Sequence, residues 1–244
     1  MRVRQLGRAD YQGTWQAMRA FTAARDAGTA DELWVVEHDP VYTLGLAGRR
    51  EHLHQPGSIP VVQSDRGGQV TYHGPGQLVV YTLVDLRRAG YFVRELVFRI
   101  EESVIQTLDA VGVEAGRVAG APGIYVPLPA GIASGIVSDF ASENSPAGAA
   151  QTDPRFAGRA KIAALGIKVQ RGCSFHGVAL NVAMDLAPFL AIDPCGYRGL
   201  RAVDLATLGV QVDMPALAGR LIERLQAHLA PAHEKTSASE RLLR

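Results

Sequence analysis

The amino-acid sequence predicts a single domain of the mixed α/β class. Short strand-like segments interleave with three helical segments, without the strict strand–helix–strand alternation of a parallel sheet. The 244 residues contain no internal repeat and are enough to bury one large core or two modest ones. We therefore expect one domain over residues 1–229, interrupted by a low-complexity insertion at 127–160 and followed by a polar tail at 230–244.

The first sixty residues supply one helix and several short strands. Asp10 is a good helix N-cap, and apolar residues at helical spacing follow it to about Ala27. The apolar segments LWVVE (33–37) and VYTLGLAG (41–48) read as strands. A loop follows over 51–60, and Val61 and Val62 begin the approach to the glycine-rich segment.

A glycine-rich segment, RGGQVTYHGPGQLVVY at 66–81, is the most informative part of the chain. Glycine lets a backbone approach a ligand closely or adopt a positive φ. Here four glycines alternate with hydrogen-bonding side chains and lead directly into a strand over 78–86. The segment indicates a wall of a binding site; a plain hairpin with a glycine-rich turn is the alternative.

The second half begins with the clearest helix, over 91–111, which carries an apolar stripe and ends at Gly112. A short strand at 123–126 comes before the insertion, whose Ala, Ser, Gly and Pro give no periodicity. Two strands, 161–169 and 172–182, are joined by a tight turn, and a turn follows at 193–196. Asp213 caps a final helix with leucines at i+4 spacing.

Composition excludes several classes of function. The net charge of +1 gives no electrostatic footprint for nucleic acid or an anionic membrane, and no segment predicts a secretory signal or a membrane helix. Two cysteines make no disulfide framework, so we expect a cytoplasmic protein. We find no cluster of metal ligands, no phosphate-binding glycine loop and no serine-nucleophile elbow, and we expect no metal or cofactor.

Cys195 and Lys161 are the candidates for chemistry. Cys195 lies in the turn Asp-Pro-Cys-Gly, where its sulfur can be accessible, although a small buried side chain is the alternative. Only three of the 25 basic residues are lysines, and a nearby ammonium stabilises a thiolate. Lys161 is either that ammonium or a solvated strand end. Cys173 reads as structural, and Lys168 as solvated.

Five stretches of the chain closely resemble the lipoyl(octanoyl) transferase family. They cover about residues 37–199 and read EHDPVYTLG, RGGQVTYHGPGQLVVYTLVDLRR, KIAALGIKV, RGCSFHGVALNVAMDLAPF and PCGYRGL. The resemblance implies the fold of the biotin and lipoate ligase catalytic domains. It also implies an acyltransferase that moves octanoyl from acyl carrier protein, through a cysteine thioester, to a lysine amine. The implied acceptors are the lipoyl domains of 2-oxoacid dehydrogenase E2 subunits and the glycine cleavage H protein.

The resemblance also assigns site residues. It places the acyl-accepting cysteine at Cys195 and the lysine that favours its thiolate at Lys161. Acyl-binding positions fall on three segments: Arg66, Gly67, Gly68, Gln69, Val70, Thr71, Tyr72 and His73; Ala164, Leu165 and Gly166; Gly177, Val178 and Ala179.

The chain departs from the family pattern twice. Asp193 stands where an asparagine is usual, and a carboxylate near the sulfur would oppose thiolate formation. The segment 127–160 stands where the family has a short connection. Two other functions stay open: an ATP-dependent ligase of the lipoate or biotin type, and a non-catalytic module that binds acyl groups or carrier proteins.

Overall fold

The computed structural model describes residues 1–128 and 153–231. Its strands are β1 (Arg2–Ala9), β2 (Glu32–His38), β3 (Val41–Leu44), β4 (Val61–Gln63), β5 (Val70–His73), β6 (Gln77–Leu83), β7 (Gly116–Val118), β8 (Ala121–Pro127), β9 (Arg159–Gln170) and β10 (Cys173–Asn181). Its helices are α1 (Tyr11–Ala24), α2 (Leu86–Ala89), α3 (Val93–Asp109) and α4 (Met214–Leu229). Single 3₁₀ turns occur at Arg50–His52, Pro154–Phe156, Ala187–Ala191 and Pro194–Gly196.

Two sheets organise the described residues. The larger sheet has seven strands in the order β1-β2-β6-β10-β9-β8-β7, and the smaller sheet has three in the order β4-β3-β5. Strand β1 runs parallel to β2, and β3 runs parallel to β4, whereas the remaining neighbours are antiparallel. The mixed sheet confirms the α/β class predicted from the sequence.

Side chains alternate between the two faces along each strand, so each face carries apolar residues. Helices cover both faces of the larger sheet. Leu33, Val35, Leu78 and Val80 point to the face that carries α3 and α4. The leucine and β-branched stripes of those two helices are buried there: Leu96, Ile100, Val104, Leu108, Leu217, Leu221, Leu225 and Leu229. On the opposite face, α1 buries Met18 against Trp34, Val36, Val79, Tyr81 and Phe175.

The helix N-caps at Asp10 and Asp213 are confirmed. Their side chains accept hydrogen bonds from the backbone N–H groups of Gly13 and Ala216, respectively. The predicted strand over 78–86 is too long, because Asp85 accepts from the N–H groups of Arg87 and Arg88 and starts the short helix α2.

The sequence gives no strand at the N-terminus, but β1 occupies residues 2–9 there. The strand lies at the edge of the sheet and is mostly exposed, so it carries no alternating apolar pattern. Its order comes from tertiary contacts: the parallel ladder to β2 and the ion pair between Arg4 and Glu32.

Most of the predicted insertion at 127–160 lies outside the described residues, but its two ends belong to the fold. Strand β8 continues through Pro127, and β9 already begins at Arg159. Phe156 is buried in a small cluster with Tyr125 and Leu200. The insertion was therefore predicted too long at both ends, because one buried aromatic in a polar stretch gives no periodic signal.

Most of the predicted polar tail also lies outside the described residues. At its start, the carbonyl of Ala230 accepts a hydrogen bond from the guanidinium of Arg99 on α3. None of the described helices is long and apolar enough to cross a membrane.

Candidate active site

Cys195 lies in a strained turn that packs against β5 of the smaller sheet and contacts Lys161 of β9. Its φ of 58° and ψ of 17° are left-handed, a region that costs an L-residue about 1–2 kcal/mol. The turn is held on both sides, because the N–H of Asp193 donates to the carbonyl of His52, and that of Gly196 donates to Asp193. Cys195 is half-buried and carries a free thiol, as the Asp-Pro-Cys-Gly context predicts.

Lys161 comes from β9, and its backbone is fixed on two sides. It lies opposite Tyr125 of β8, its N–H donates to the carbonyl of Arg201, and its own carbonyl accepts from the N–H of Val203. Only 4% of the residue is exposed. The reading of Lys161 as a solvated strand end is therefore wrong, while Lys168 on the same strand is half-buried.

The Lys161 ammonium and the Cys195 sulfur are in direct contact. Nζ donates to Sγ over 2.7 Å and to the carbonyl of Pro122 over 3.1 Å, and it lies 5.4 Å from the ring centroid of Tyr125. Burial acts to lower the pKa of Lys161, but the negative charge of Cys195 and the Tyr125 hydroxyl outweigh burial and raise the pKa. The 2.7 Å contact places an ammonium beside the sulfur, and a nearby positive charge favours the thiolate, the reactive form of cysteine.

Gly123 makes room for this pair, a role that the sequence analysis missed. A Cβ at this position would lie 2.7 Å from Cε and 2.8 Å from Nζ of Lys161, and its φ of +131° also favours glycine. The N–H of Gly123 donates to the carboxylate of Glu101 on α3, which fixes the bend of β8. The only sequence signal is a glycine at the start of an apolar strand, which by itself does not identify an active-site neighbour.

Next to Cys195, the three predicted acyl-binding segments meet around one narrow cavity that is partly open to solvent. Strands β9 and β10 meet here with Gly166 opposite Gly177 and Ala164 opposite Ala179. The cavity lies on the side of the sheet that carries Tyr11 of α1. Its lining from the predicted segments is Arg66, Gly68, Gln69, Val70, Thr71, His73, Ala164, Leu165, Gly166, Gly177, Val178 and Ala179.

Two predicted positions do not line this cavity. Tyr72 packs in the smaller sheet, with its ring 5.5 Å from those of Tyr42 and Phe189. Its neighbours Thr71 and His73 do reach the cavity. Gly67 lines a neighbouring groove instead, and its N–H donates to the carbonyl of Ile167 on β9.

That neighbouring groove also reaches Cys195. It shares Gly68, Gln69, Leu165, Gly166 and Cys195 with the cavity, and continues past the start of α3. The rest of its lining is largely apolar or glycine: Gly67, Val93, Val97, Gly120, Ala121, Pro122, Ile167 and Tyr197. The Cys195 sulfur therefore lies where the cavity and the groove meet.

Arg66 is a buried cation in the cavity wall. Its guanidinium donates to the hydroxyl of Thr43 over 3.0 Å and to the carbonyl of Gly67 over 3.0 Å. Burial lowers the pKa of Arg66, opposed by the charges of Tyr11 and Cys195. Arginine remains charged in proteins, so Arg66 adds positive potential to the region of the thiolate.

The Asp193 carboxylate contacts two histidines, although the sequence suggested that it would oppose formation of the Cys195 thiolate. Its carboxylate lies 3.1 Å from Nδ1 of His52 and 3.1 Å from Nε2 of His54. Burial acts to raise the pKa of Asp193, but hydrogen bonds from His52 and His54 outweigh it and lower the pKa. The charge is thus directed at two imidazoles, and it serves to hold the Cys195 turn against the 52–54 segment.

His73 is buried in the wall of this cavity and is hydrogen-bonded. Its Nδ1 lies 2.7 Å from Oε1 of Gln77. Burial, with neighbouring His38 adding to it, lowers the pKa of His73 from 6.5 to about 3. The ring is therefore neutral at physiological pH.

This shift predicts a loss of stability in acid. Between pH 6.5 and about 3 the unfolded chain binds a proton at His73 that the folded protein does not, so the free energy of unfolding falls as pH is lowered. One such proton changes it by about 1.4 kcal/mol per pH unit. In His73→Asn this contribution is expected to disappear, which urea titrations of both proteins at pH 4, 5 and 6 would measure. Equal slopes in the two proteins would contradict the assignment.

A second prediction concerns Gly68, whose φ is +89°. A Cβ there would meet only Nη1 of Arg66, at 3.5 Å, so Gly68→Ala acts through the backbone. We expect its strain to move the loop beside Cys195 and to slow reactions of the sulfur by about tenfold or more, because misplacement by about 1 Å can cost that much. The matched control is Gly57→Ala, at φ +59° in open space, which should lose stability but keep reactivity. Equal alkylation rates of Cys195 in both variants would refute this.

Among the described residues, no group of histidines, cysteines and carboxylates is arranged to hold a metal ion. The chemistry that these side chains offer is that of a half-buried cysteine beside a buried lysine, at a mainly apolar cavity that is partly open to solvent. Such a pair forms and breaks covalent bonds to acyl groups.

Comparisons with known proteins identify the family of this chain. The family model described as the lipoyl protein ligase A/B catalytic domain matches residues 10–226. Octanoyltransferase of Polaromonas naphthalenivorans (strain CJ2) is 57% identical over 229 residues, covering 94% of this chain and 98% of the relative. Octanoyltransferase of Albidiferax ferrireducens is 56% identical over 227 residues, covering 93% and 96%.

Solved structures support the fold. The putative lipoate protein ligase of Thermoplasma acidophilum, solved with lipoic acid, superposes with a TM-score of 0.63 at 17% identity, covering 93% of this chain and 85% of that one. The biotin protein ligase of Aquifex aeolicus gives 0.52 at 11% identity, covering 93% and 70%. The fold expected from the sequence resemblance is confirmed. Within the family of the lipoyl protein ligase A/B catalytic domain, this chain belongs to the octanoyltransferases.

Proposed function

We propose that this protein transfers octanoyl groups from acyl carrier protein to lysine amines of lipoyl domains, with an octanoyl thioester on Cys195 as the intermediate. The observation that carries the proposal is the contact of 2.7 Å between Lys161 Nζ and Cys195 Sγ, at the mouth of the cavity. The relatives are named octanoyltransferase, which supports octanoyl as the group that is transferred.

In the first half-reaction, the Cys195 thiolate attacks the carbonyl carbon of the octanoyl thioester. A carbon–sulfur bond to Sγ forms as the bond to the carrier sulfur breaks. The leaving thiolate takes a proton from the Lys161 ammonium, so that the carrier departs as a thiol and Lys161 becomes neutral.

In the second half-reaction, the neutral lysine amine of the acceptor attacks octanoyl-Cys195. An amide bond forms as the bond to Sγ breaks. The attacking nitrogen gives a proton to Lys161, which restores the ammonium beside a thiolate. One cysteine therefore lets the two partner proteins dock in turn rather than together.

The cavity suits the acyl chain. Val70, Val79, Leu165 and Val178 contribute apolar surface, and the eight-carbon group has about seven methylene or methyl groups worth roughly 0.8 kcal/mol each when buried. The cavity can thus contribute roughly 5 kcal/mol toward holding the chain while the carrier leaves.

The groove beside α3 is the path by which the carrier arm and the acceptor lysine reach Cys195. A thioester carbonyl has its acyl chain on one side and its sulfur on the other. With the chain in the cavity, the carrier arm, and later the acceptor lysine, must reach Cys195 from the groove that shares this residue. Phe92, the N-cap residue of α3, and Phe98 on that helix are also exposed.

The two rival functions predict different products. An ATP-dependent ligase would release pyrophosphate and need no sulfur nucleophile, and a binding module would never hold a covalent acyl group. The deciding experiment is intact-mass analysis after incubation with octanoyl carrier protein without ATP. A gain of one octanoyl group, discharged on adding a lipoyl domain, is the expected result. An unchanged mass together with ATP-dependent acceptor labelling would overturn the proposal in favour of the ligase.

The acceptors proposed are the lipoyl domains of 2-oxoacid dehydrogenase E2 subunits and the glycine cleavage H protein. The sequence resemblance supports this choice, while the relatives support octanoyl transfer only in general. We place the reaction in the cytoplasm, in keeping with the free thiols of Cys173 and Cys195.

A further inference from the structure

His176 combines three features that rarely occur together. It has a positive φ of 62°, although it is neither glycine nor asparagine. It is only 1% exposed, and its Nδ1 has no hydrogen-bond partner among the described residues. Strained residues and unsatisfied buried polar atoms are both costly, and they persist mainly where function requires them.

The surrounding residues hold the His176 ring firmly. Nε2 lies 2.8 Å from Oδ1 of Asp65, and the same oxygen accepts from the indole N–H of Trp15 over 2.7 Å. The ring also lies against those of Phe175 and Tyr81. Burial lowers the pKa of His176 although Asp65 opposes it, so the imidazole is neutral at physiological pH.

His176 lines the acyl cavity away from the nucleophile. The part of the cavity near Cys195 is the part that it shares with the groove: Gly68, Gln69, Leu165 and Gly166. His176 is absent from that shared set, and its ring centroid lies 6.2 Å from that of Tyr81, another cavity residue that does not line the groove. The cavity therefore has a reactive end and an aromatic, polar end.

The other polar groups at that end are already satisfied. The hydroxyl of Tyr81 is 2.7 Å from Nε2 of His38, and that of Tyr11 is 2.7 Å from the hydroxyl of Ser64. His176 is the residue there that combines a rigid ring with an unpaired polar atom. Each further methylene group of an alkyl chain gains free energy by burial until the chain reaches such a group. There the chain meets a rigid ring, and displacing water from Nδ1 would leave a buried polar atom unpaired, which costs free energy.

We propose that His176 closes the far end of the acyl cavity and sets the longest acyl chain that the enzyme accepts. This inference rests on the proposed function of the cavity as an acyl site. It makes His176 a specificity-determining residue rather than a catalytic one. His176 affects which acyl-chain lengths are accepted, and not the chemistry at Cys195.

The test is a competition between acyl donors of different length. Equimolar octanoyl, decanoyl and dodecanoyl carrier proteins are offered together, and the adducts on Cys195 are quantified by intact mass. In the unaltered protein we expect the yield of adduct to fall sharply beyond octanoyl. His176→Gly, which removes the ring and relieves the positive φ, should raise the ratio of decanoyl to octanoyl adduct at least tenfold. His176→Asn, which tolerates the same backbone, should give a smaller rise.

Arg171→Gly is the matched control, because Arg171 is another non-glycine residue with a positive φ, at 50°, and lies exposed in the turn before β10. It should keep the ratio of the unaltered protein. An unchanged ratio in folded His176→Gly or His176→Asn overturns the proposal. So does an unaltered protein that loads dodecanoyl as readily as octanoyl, a result that requires no variant. Failure of the proposed function is distinct, since no adduct of any length would then form.

Discussion

Cys195→Ala is expected to abolish the octanoyl adduct and to lower acyl transfer by more than about 10³-fold, because removal of a nucleophile leaves only binding and positioning. Cys195 is the only sulfur in contact with Lys161 and the only one that lines the cavity among the described residues. The measurement is intact mass after incubation with octanoyl carrier protein, together with transfer to a lipoyl domain.

Cys173→Ala is the matched control for this prediction. Cys173 is buried at the start of β10, where its backbone forms a bridge to Asp85, and burial raises its pKa. A buried thiol of this kind is unreactive. The control should therefore acquire one octanoyl group at the normal rate. An adduct on Cys195→Ala at the normal rate would contradict the whole mechanism.

The sequence located much of the site because much of the site is built from local segments. The composition of the glycine-rich loop marks it as a wall of a site, whereas the lining positions on β9 and β10 come from the family resemblance. The turn at 193–196 is marked in the same way by proline and glycine around Cys195.

What the sequence missed depends on contacts between distant segments. Gly123 matters only because Lys161 lies across from it, and Thr43 only because the Arg66 guanidinium reaches it. Tyr72 was assigned to the cavity wall with its neighbours, but Tyr42 and Phe189 draw its ring into the smaller sheet. No pattern within the 66–73 segment distinguishes it from the residues that do line the cavity.

The same reasoning explains the errors in the fold. Strand β1 is exposed and polar, and its order comes from β2, thirty residues further along the chain. Helix α2 is a single turn that Asp85 starts, within an apolar run that otherwise continues a strand. Amphipathic helices such as α3 and α4 were predicted well, because the residues that pack against the sheet form an apolar stripe at helical spacing in the sequence.

Lys161→Ala is expected to fail differently from Cys195→Ala, because it keeps the sulfur and removes the charge that holds it as a thiolate. A thiol with the reference pKa of about 8.5 is only about 3% ionised at pH 7. Octanoyl loading at pH 7 should therefore fall by about 30-fold and recover in part as the pH is raised toward 9. The Cys195→Ala variant should show no recovery at any pH.

Lys168→Ala separates this effect from a general loss of positive charge, since Lys168 lies on the same strand, half-buried, and should load normally. The rate of Cys195 alkylation against pH reports the thiolate directly, so an unshifted profile in Lys161→Ala would remove Lys161 from its role. Discharge to a lipoyl domain supplies the second readout. Because Lys161 also receives the proton from the attacking amine, transfer should stay slow at high pH even where loading has recovered. Recovery of both half-reactions together would mean that Lys161 holds the charge of the sulfur but moves no proton.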